Sequence, residues 1–218
     1  MKITLHMLAT LIVVGMLSGG ALSLVNDWAS PLIEINQQKI RDEAIGFLVP
    51  GGTAQEVVSE GKFTAWQVRD GDTLLGWVVQ SSGVGFQAEI NLMIALDPER
   101  REIHGLKVLD DSETPGLGTW IRLSGAQEEA LRTASDRYLA GEVEVAQNYP
   151  LQYFSFAEGK HLSAAGDLKV VKAQLGTGRD PTQVQAITAA TISSTAVVDI
   201  VNAAVLKLDQ LLDAQGGV

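Results

Sequence analysis

The sequence predicts an α+β protein: a membrane-spanning helix at the amino terminus, followed by an antiparallel-sheet domain with flanking helices. Three observations predict it. Residues Ile3 to Val25 include no charged side chain. Between Phe63 and Leu109, short apolar runs alternate with turns rich in Gly, Asp and Pro. From Val197 to Leu212, the apolar residues Val197, Val198, Val201, Ala204, Val205, Leu208, Leu211 and Leu212 recur at spacings that give a helix one buried stripe.

In the first segment, Leu5–Val25 is interrupted only by His6, Thr10, Ser18 and Ser23, and it matches the about twenty residues that cross a bilayer as a helix. Lys2 and the terminal amine flank one end, Asp27 and an acidic remainder the other, so the positive-inside rule puts the terminus in the cytoplasm and the domain outside. A cleaved signal peptide is the competing reading, because Ala21-Leu22-Ser23 imitates a small-x-small cleavage site. The apolar run is long for a signal peptide, which favours an anchor over 1–27. Gly15, Gly19 and Gly20 either admit a neighbouring helix or are ordinary membrane glycines. His6 lies where it can reach headgroup water, and Trp28 falls at the outer interface. Ser30-Pro31 reads as an N-cap and first helical residue, opening a connecting helix within 28–50 that carries Ile33, Ile40, Ala44 and Phe47 on one face. Pro50-Gly51-Gly52 stops it, and the folded domain is expected over 51–218.

Within that domain, Phe63–Arg69 and Thr73–Gln80 are strand-like and joined at Asp70-Gly71-Asp72, which has hairpin chemistry. Ser81–Gly85 breaks the chain. Phe86–Leu96 is a further strand ending at Asp97-Pro98-Glu99, and Glu102–Leu109 follows. Consecutive antiparallel pairing is the economical topology. Ser124-x-x-Gln127 resembles a capping box before a helix with Ala130, Leu131, Ala134, Tyr138 and Leu139 in step. Tyr149–Phe156 has no period, Leu168–Ala173 is a short strand, and Gly176-Thr177-Gly178 with Asp180-Pro181 forms a loop.

Composition excludes several classes. A chain of 218 residues holds one domain plus an anchor. Its formal charge of -10 argues against a nucleic-acid surface. With no cysteine there is no disulfide, no thiolate-ligated iron–sulfur cluster and no thioether-bound haem. His6, His104 and His161 have no metal-ligand spacing, so no metal site is expected.

Two stretches carry chemistry. The first, Gln185–Val197, is hydroxyl-rich and sits where the last helix begins. Ser193, Ser194 or Thr195 there can cap the helix, and a phosphate would meet unpaired N–H groups and the favourable end of the dipole. Cap and anion site both remain open. The second, Asp110–Trp120, contains Glu113-Thr114-Pro115-Gly116-Leu117-Gly118, in which proline fixes one φ and glycines allow close backbone approach. A tight turn and a ligand loop fit it equally. The Asp110-Asp111 pair reads as solvated.

Thr188-Ala189-Ala190-Thr191, followed by Ile192-Ser193-Ser194, resembles the flavinylation signature of the FMN-binding domain family. In that family a separate transferase links FMN through its phosphate to the last threonine of a Ser/Thr-Gly/Ala-Ala-Thr motif. The resemblance implies covalent FMN as a phosphoester on Thr191, with Thr188, Ala189, Ala190, Ser193 and Ser194 around it, the alanines leaving room for transferase and phosphate. The family usually has an acidic residue where Gln185 stands. Gly83-x-Gly85-Phe86 before a strand, a turn and a strand also occurs there. The run Glu113–Gly118 is residue for residue that of the Rnf-type G subunits and of the C subunits of sodium-translocating NADH:quinone reductases. In those proteins the loop lies against the flavin. The resemblance therefore implies that Glu113 and Thr114 hydrogen-bond the ring or ribityl chain while Gly116, Leu117 and Gly118 pack on it; Trp120 shields the ring or belongs to the core. Covering the chain from about Trp28 onward, it implies an inner-membrane electron carrier with its FMN domain on the periplasmic side. Such a carrier serves other membrane and peripheral subunits of an ion-translocating ferredoxin:NAD oxidoreductase, is matured by a flavin transferase and has no catalytic residue of its own. Two alternatives are an FMN-carrying subunit of another membrane reductase, such as the sodium-translocating NADH:quinone reductase, and an anchored scaffold without flavin.

Overall fold

In the computed structural model, the described residues are 2–115, 118–121, 160–161, 168–171, 182–187 and 190–214. The expected helix after Ser124, the segment Tyr149–Phe156, the loop from Gly176 to Pro181 and residues Gly116, Leu117, Thr188 and Ala189 lie outside them, as does the side chain of Trp120. The chain divides into two units, Met1–Glu43 and Ala44–Val218.

Helix α1 runs from Lys2 to Leu48 with Pro31 inside it. The break expected at Ser30-Pro31 is therefore absent. The Ser30 hydroxyl donates back to the Asn26 carbonyl at 2.8 Å, a bond made inside a helix rather than at its cap. Interior proline loses its N–H and crowds the carbonyl four residues back, a local cost that does not end this helix; the good helix formers that follow, with Lys39 and Glu43 paired at 3.8 Å, carry it on. In the first unit the apolar side chains of Ile3–Val25 are exposed, as a lipid-facing helix requires.

In the second unit, β1 (Thr53–Glu60), β2 (Phe63–Asp70), β3 (Thr73–Val84), β4 (Glu89–Leu96) and β5 (Glu102–Asp110) pair consecutively and antiparallel, and β6 (Lys160–His161) adds beyond β5. The β2–β3 hairpin turns at Gly71, whose φ of 57° a side chain would strain. At the β4–β5 turn, Asp97 Oδ1 accepts the N–H groups of Arg101 and Glu102, both at 2.6 Å. Strand β1 was not expected. Only Val58 in it is buried, so the sequence Thr-Ala-Gln-Glu-Val-Val-Ser-Glu shows no alternation, and it is an edge strand whose glutamates discourage further pairing. Strand β3 also outruns its expected end at Gln80, because Ser81–Val84 pair with Glu89–Leu92.

The sheet is covered on both faces, and alternation along each strand separates them. Phe63, Ala65, Trp77, Val79, Ile90, Leu92, Ile94 and Leu96 face α2 (Thr191–Ala214), which contributes Val197, Val201, Val205 and Leu208. Trp66, Val68, Val78, Met93 and Ala95 face the last residues of α1, namely Ala44, Ile45 and Val49. A small parallel pair, β7 (Lys169–Val171) with β8 (Gln183–Gln185), is tied to α2 by Asn202, which accepts from Leu168 N–H at 3.2 Å and donates to its carbonyl at 3.0 Å. Arg100 fastens the other end of α2, donating to Asp209 Oδ1 at 2.7 Å while lying 5.8 Å from the Trp77 ring centroid.

Candidate functional site

The site forms where three segments distant in sequence meet: the end of β3 with the loop to β4, the loop after β5, and the first turn of α2. Glycines allow the meeting. A Cβ on Gly83 would stand 2.6 Å from Ile200 Cγ1 of α2, so only glycine lets β3 run on beside the helix. A Cβ on Gly85 would stand 2.3 Å from Glu113 Oε1, and one on Gly118 would stand 2.9 Å from Oε2 of the same carboxylate. Close approach, rather than unusual φ, explains these three.

Glu113 is the hub. Its side chain is 3% exposed. Oε1 accepts the N–H groups of Phe86 at 2.8 Å and Gln87 at 3.3 Å, and Oε2 accepts the Ser193 hydroxyl at 2.5 Å. Both loops are braced further. Gly85 N–H donates to Ala88 O at 2.7 Å, Asp111 Oδ1 accepts Glu113 N–H at 3.2 Å, and Gln87 Nε2 donates to Thr114 Oγ1 at 3.1 Å. Thr119 N–H donates to the Thr114 carbonyl at 3.3 Å. Beside this cluster, Lys62 and Ser82 both donate to Glu89, and the Lys62 bond above all holds the Glu89 carboxyl below the ordinary carboxylate range.

Helix α2 begins at Thr191, earlier than a cap at Ser193, Ser194 or Thr195 requires, so those residues are inside the helix and the expected side-chain cap is not made. Ala190 occupies the cap position instead. Its carbonyl accepts the first helical bond from Ser194 N–H at 3.0 Å, and its own N–H reaches Ile187 O at 3.0 Å. The Ser194 hydroxyl, 4% exposed, donates to Ala190 O and accepts Ile187 N–H, both at 2.9 Å. Ser193, 2% exposed, is engaged by Glu113. Thr191 differs from both: it is exposed at the start of the helix, where the first N–H groups have no helical acceptor.

The structure thus brings Glu113, Thr114, Gly118, Ala190, Thr191, Ser193 and Ser194 into one region. Sequence reasoning missed Gln87, whose amide braces Thr114, and the apolar residues Val84, Phe86 and Ile192, which are exposed on the joined segments. The unusual exposure of large apolar side chains beside a glycine pair is visible only in the fold; the available signal was Gly83-Val84-Gly85-Phe86, which also reads as a turn.

The G subunit of an ion-translocating oxidoreductase complex from Methanosarcina acetivorans is 25% identical over 207 residues, covering 91% of this chain and 90% of that protein. The crystal structure of Shewanella oneidensis NqrC aligns with a TM-score of 0.46 at 19% identity, over 67% of this chain and 61% of that one. The profile of the FMN-binding domain matches residues 85–206, from the glycine packed on Glu113 through most of α2. With more than half its length inside that match, the chain belongs to the FMN-binding domain family.

Proposed function

We propose that the protein is a membrane-anchored electron carrier whose FMN is esterified through its phosphate to Thr191 Oγ, serving an ion-translocating oxidoreductase complex of the Rnf type. One observation carries the reading. In the first turn of α2 the hydroxyls of Ser193 and Ser194 are buried and engaged, and Thr191 is exposed. A phosphodiester there keeps one negative charge at the end of the helix where dipole and unpaired N–H groups stabilise it. Val84, Phe86 and Ile192, exposed on the segments joined at Glu113, offer apolar surface to an aromatic ring system. The residues present therefore fit the group.

Bound FMN supplies the redox chemistry, and the chain holds it, orients it and limits its contact with water. Thr191 fixes the phosphate, and the Phe86–Gln87 and Glu113–Thr114 segments, joined through the Glu113 carboxylate and the Gln87–Thr114 bond, form its border. Covalent attachment suits a carrier on the outer side of the membrane, where a dissociated cofactor is lost by dilution. The apolar helix over Ile3–Val25, with Lys2 before it and Asp27 after it, anchors the protein and sets that orientation. The match along 90% of the Methanosarcina acetivorans G subunit supports the Rnf-type assignment.

Thr191→Val, made together with the flavin transferase, is expected to remove flavin fluorescence from the denatured gel band and the FMN mass from the peptide containing residue 191. A fluorescent Thr191→Val band defeats the assignment. Purification of the native complex and identification of its subunits distinguishes the Rnf-type assembly from a sodium-translocating quinone reductase.

A further inference from the structure

We propose that Glu113 is a positioning residue that makes Thr191 the modified hydroxyl, an inference that rests on the phosphoester reading above. An ionised carboxylate only accepts hydrogen bonds, and burying one is unfavourable unless donors converge on it. Here they do. Two backbone N–H groups from Phe86 and Gln87 meet Oε1, and one hydroxyl from Ser193 meets Oε2. A Cβ on Gly85 would press on Oε1 at 2.3 Å and one on Gly118 on Oε2 at 2.9 Å, so both glycines pack directly against the carboxylate. Glu113 therefore has its acceptor sites directed into the protein, and its effect on the cofactor runs through the elements it holds.

The consequence is rotational. Successive residues of a helix turn by about 100°, so Ser193 and Thr191 differ by about 200° and point to nearly opposite sides. Drawing the Ser193 hydroxyl inward fixes the first turn of α2 with Thr191 outward. The same bond removes Ser193 as a competing nucleophile. Ser194 is removed independently by its bonds to Ile187 and Ala190. Esterification in water needs an activated donor, a flavin whose phosphate forms part of a pyrophosphate. In that transfer the Thr191 Oγ–P bond forms and the bridging P–O bond breaks. The departing nucleotide phosphate keeps the electron pair, and the hydroxyl proton passes to a base of the transferase. No oxidant or reductant is consumed. What Glu113 contributes is a fixed direction of approach for the attacking oxygen, and displacement by about 1 Å is enough to slow such a step as much as a hundredfold.

The test uses the full chain purified without its cofactor, a flavin transferase and flavin adenine dinucleotide as donor, with the initial rate measured against acceptor-protein concentration. Wild-type protein is expected to take flavin on Thr191. Glu113→Ala is expected to lower kcat about tenfold or more with KM for the acceptor within about twofold. Partial unfolding would act otherwise, since a smaller competent fraction raises apparent KM and leaves kcat unchanged. Glu113→Gln keeps an oxygen for the Phe86 and Gln87 N–H groups and an amide that the Ser193 oxygen can accept, so it is expected to stay within about threefold of wild type. A Glu113→Ala protein with wild-type kcat, an effect confined to KM, or a Gln variant as slow as the Ala variant overturns the positioning role while the phosphoester reading stands. Wild-type protein that takes no flavin, or takes it elsewhere than Thr191, overturns both and is recognised before any variant is compared.

Discussion

Gly85 shows how much at this site depends on single atoms. The place its Cβ would take is 2.3 Å from Glu113 Oε1, 2.8 Å from Ala88 O and 2.8 Å from Ile90 Cδ1. Two of those three atoms are held by hydrogen bonds, Oε1 by Phe86 and Gln87 and the Ala88 carbonyl by Gly85 itself, so neither yields easily. Gly85→Ala is expected to lower stability by about 1–3 kcal/mol and to slow attachment of flavin, because the strain falls on the carboxylate that positions the helix. An unchanged thermal midpoint in detergent would show that the loop relaxes freely. Thr191 lies in the same region with the opposite character. Its side chain is exposed, so its replacement by valine should move stability by no more than about 0.5 kcal/mol while removing the proposed acceptor hydroxyl.

At the level of elements, α2 completes the core and carries Thr191, the proposed acceptor, in its first turn. Its stripe of Val197, Val201, Val205 and Leu208 lies on the sheet, with Leu208 fully buried, while Leu206 on the other side is 45% exposed. Leu208→Ala is expected to lower the unfolding free energy by about 2–5 kcal/mol, the usual result of emptying a packed leucine site. Leu206→Ala serves as the control and should change it by less than about 0.5 kcal/mol. Chemical denaturation of the two variants side by side reads the difference, and equal effects would mean that the stripe is not what holds the helix. The stripe was legible in the sequence because helical periodicity survives wherever one face is buried. Strand β1 was not legible for the same reason: with Val58 its one buried residue, there was no face to read. Strand β3 outruns its expected end at Gln80 because Gly83, a glycine beside Ile200, looks in sequence like part of a strand-ending break.

For the molecule as a whole, the chain divides into two compact units after Glu43. Helix α1 continues without a break to Leu48, and Ala44, Ile45 and Val49 at its end cover the sheet face formed by Trp66, Val68, Val78, Met93 and Ala95. A chain beginning at Asp42 is expected to be water-soluble and to unfold cooperatively. One beginning at Gly51 uncovers that face, losing about 1.5–3 kcal/mol for each buried aliphatic side chain removed, and should aggregate or unfold at markedly lower denaturant concentration. Sedimentation and urea titration of the two chains check this; indistinguishable behaviour would show that the cover over Trp66 and Met93 is dispensable.

The sequence by itself determined the apolar amino-terminal helix, the antiparallel order of β2 to β5, the amphipathic last helix and the two motifs that matter, Glu113–Gly118 and Thr188–Thr191. Each is a local property: an uncharged run, a turn between alternating residues, a period, a short string of residues. Only the tertiary structure decided that Glu113 directs both oxygens into the protein, that Ser193 and Ser194 are engaged while Thr191 is exposed, and that Gly83, Gly85 and Gly118 are glycines because other atoms occupy the space of a side chain. Those facts join residues eighty positions apart, as Ser193 and Glu113 are. Which donor meets which acceptor across that separation depends on how the sheet and the last helix pack, and no local pattern in a chain records it.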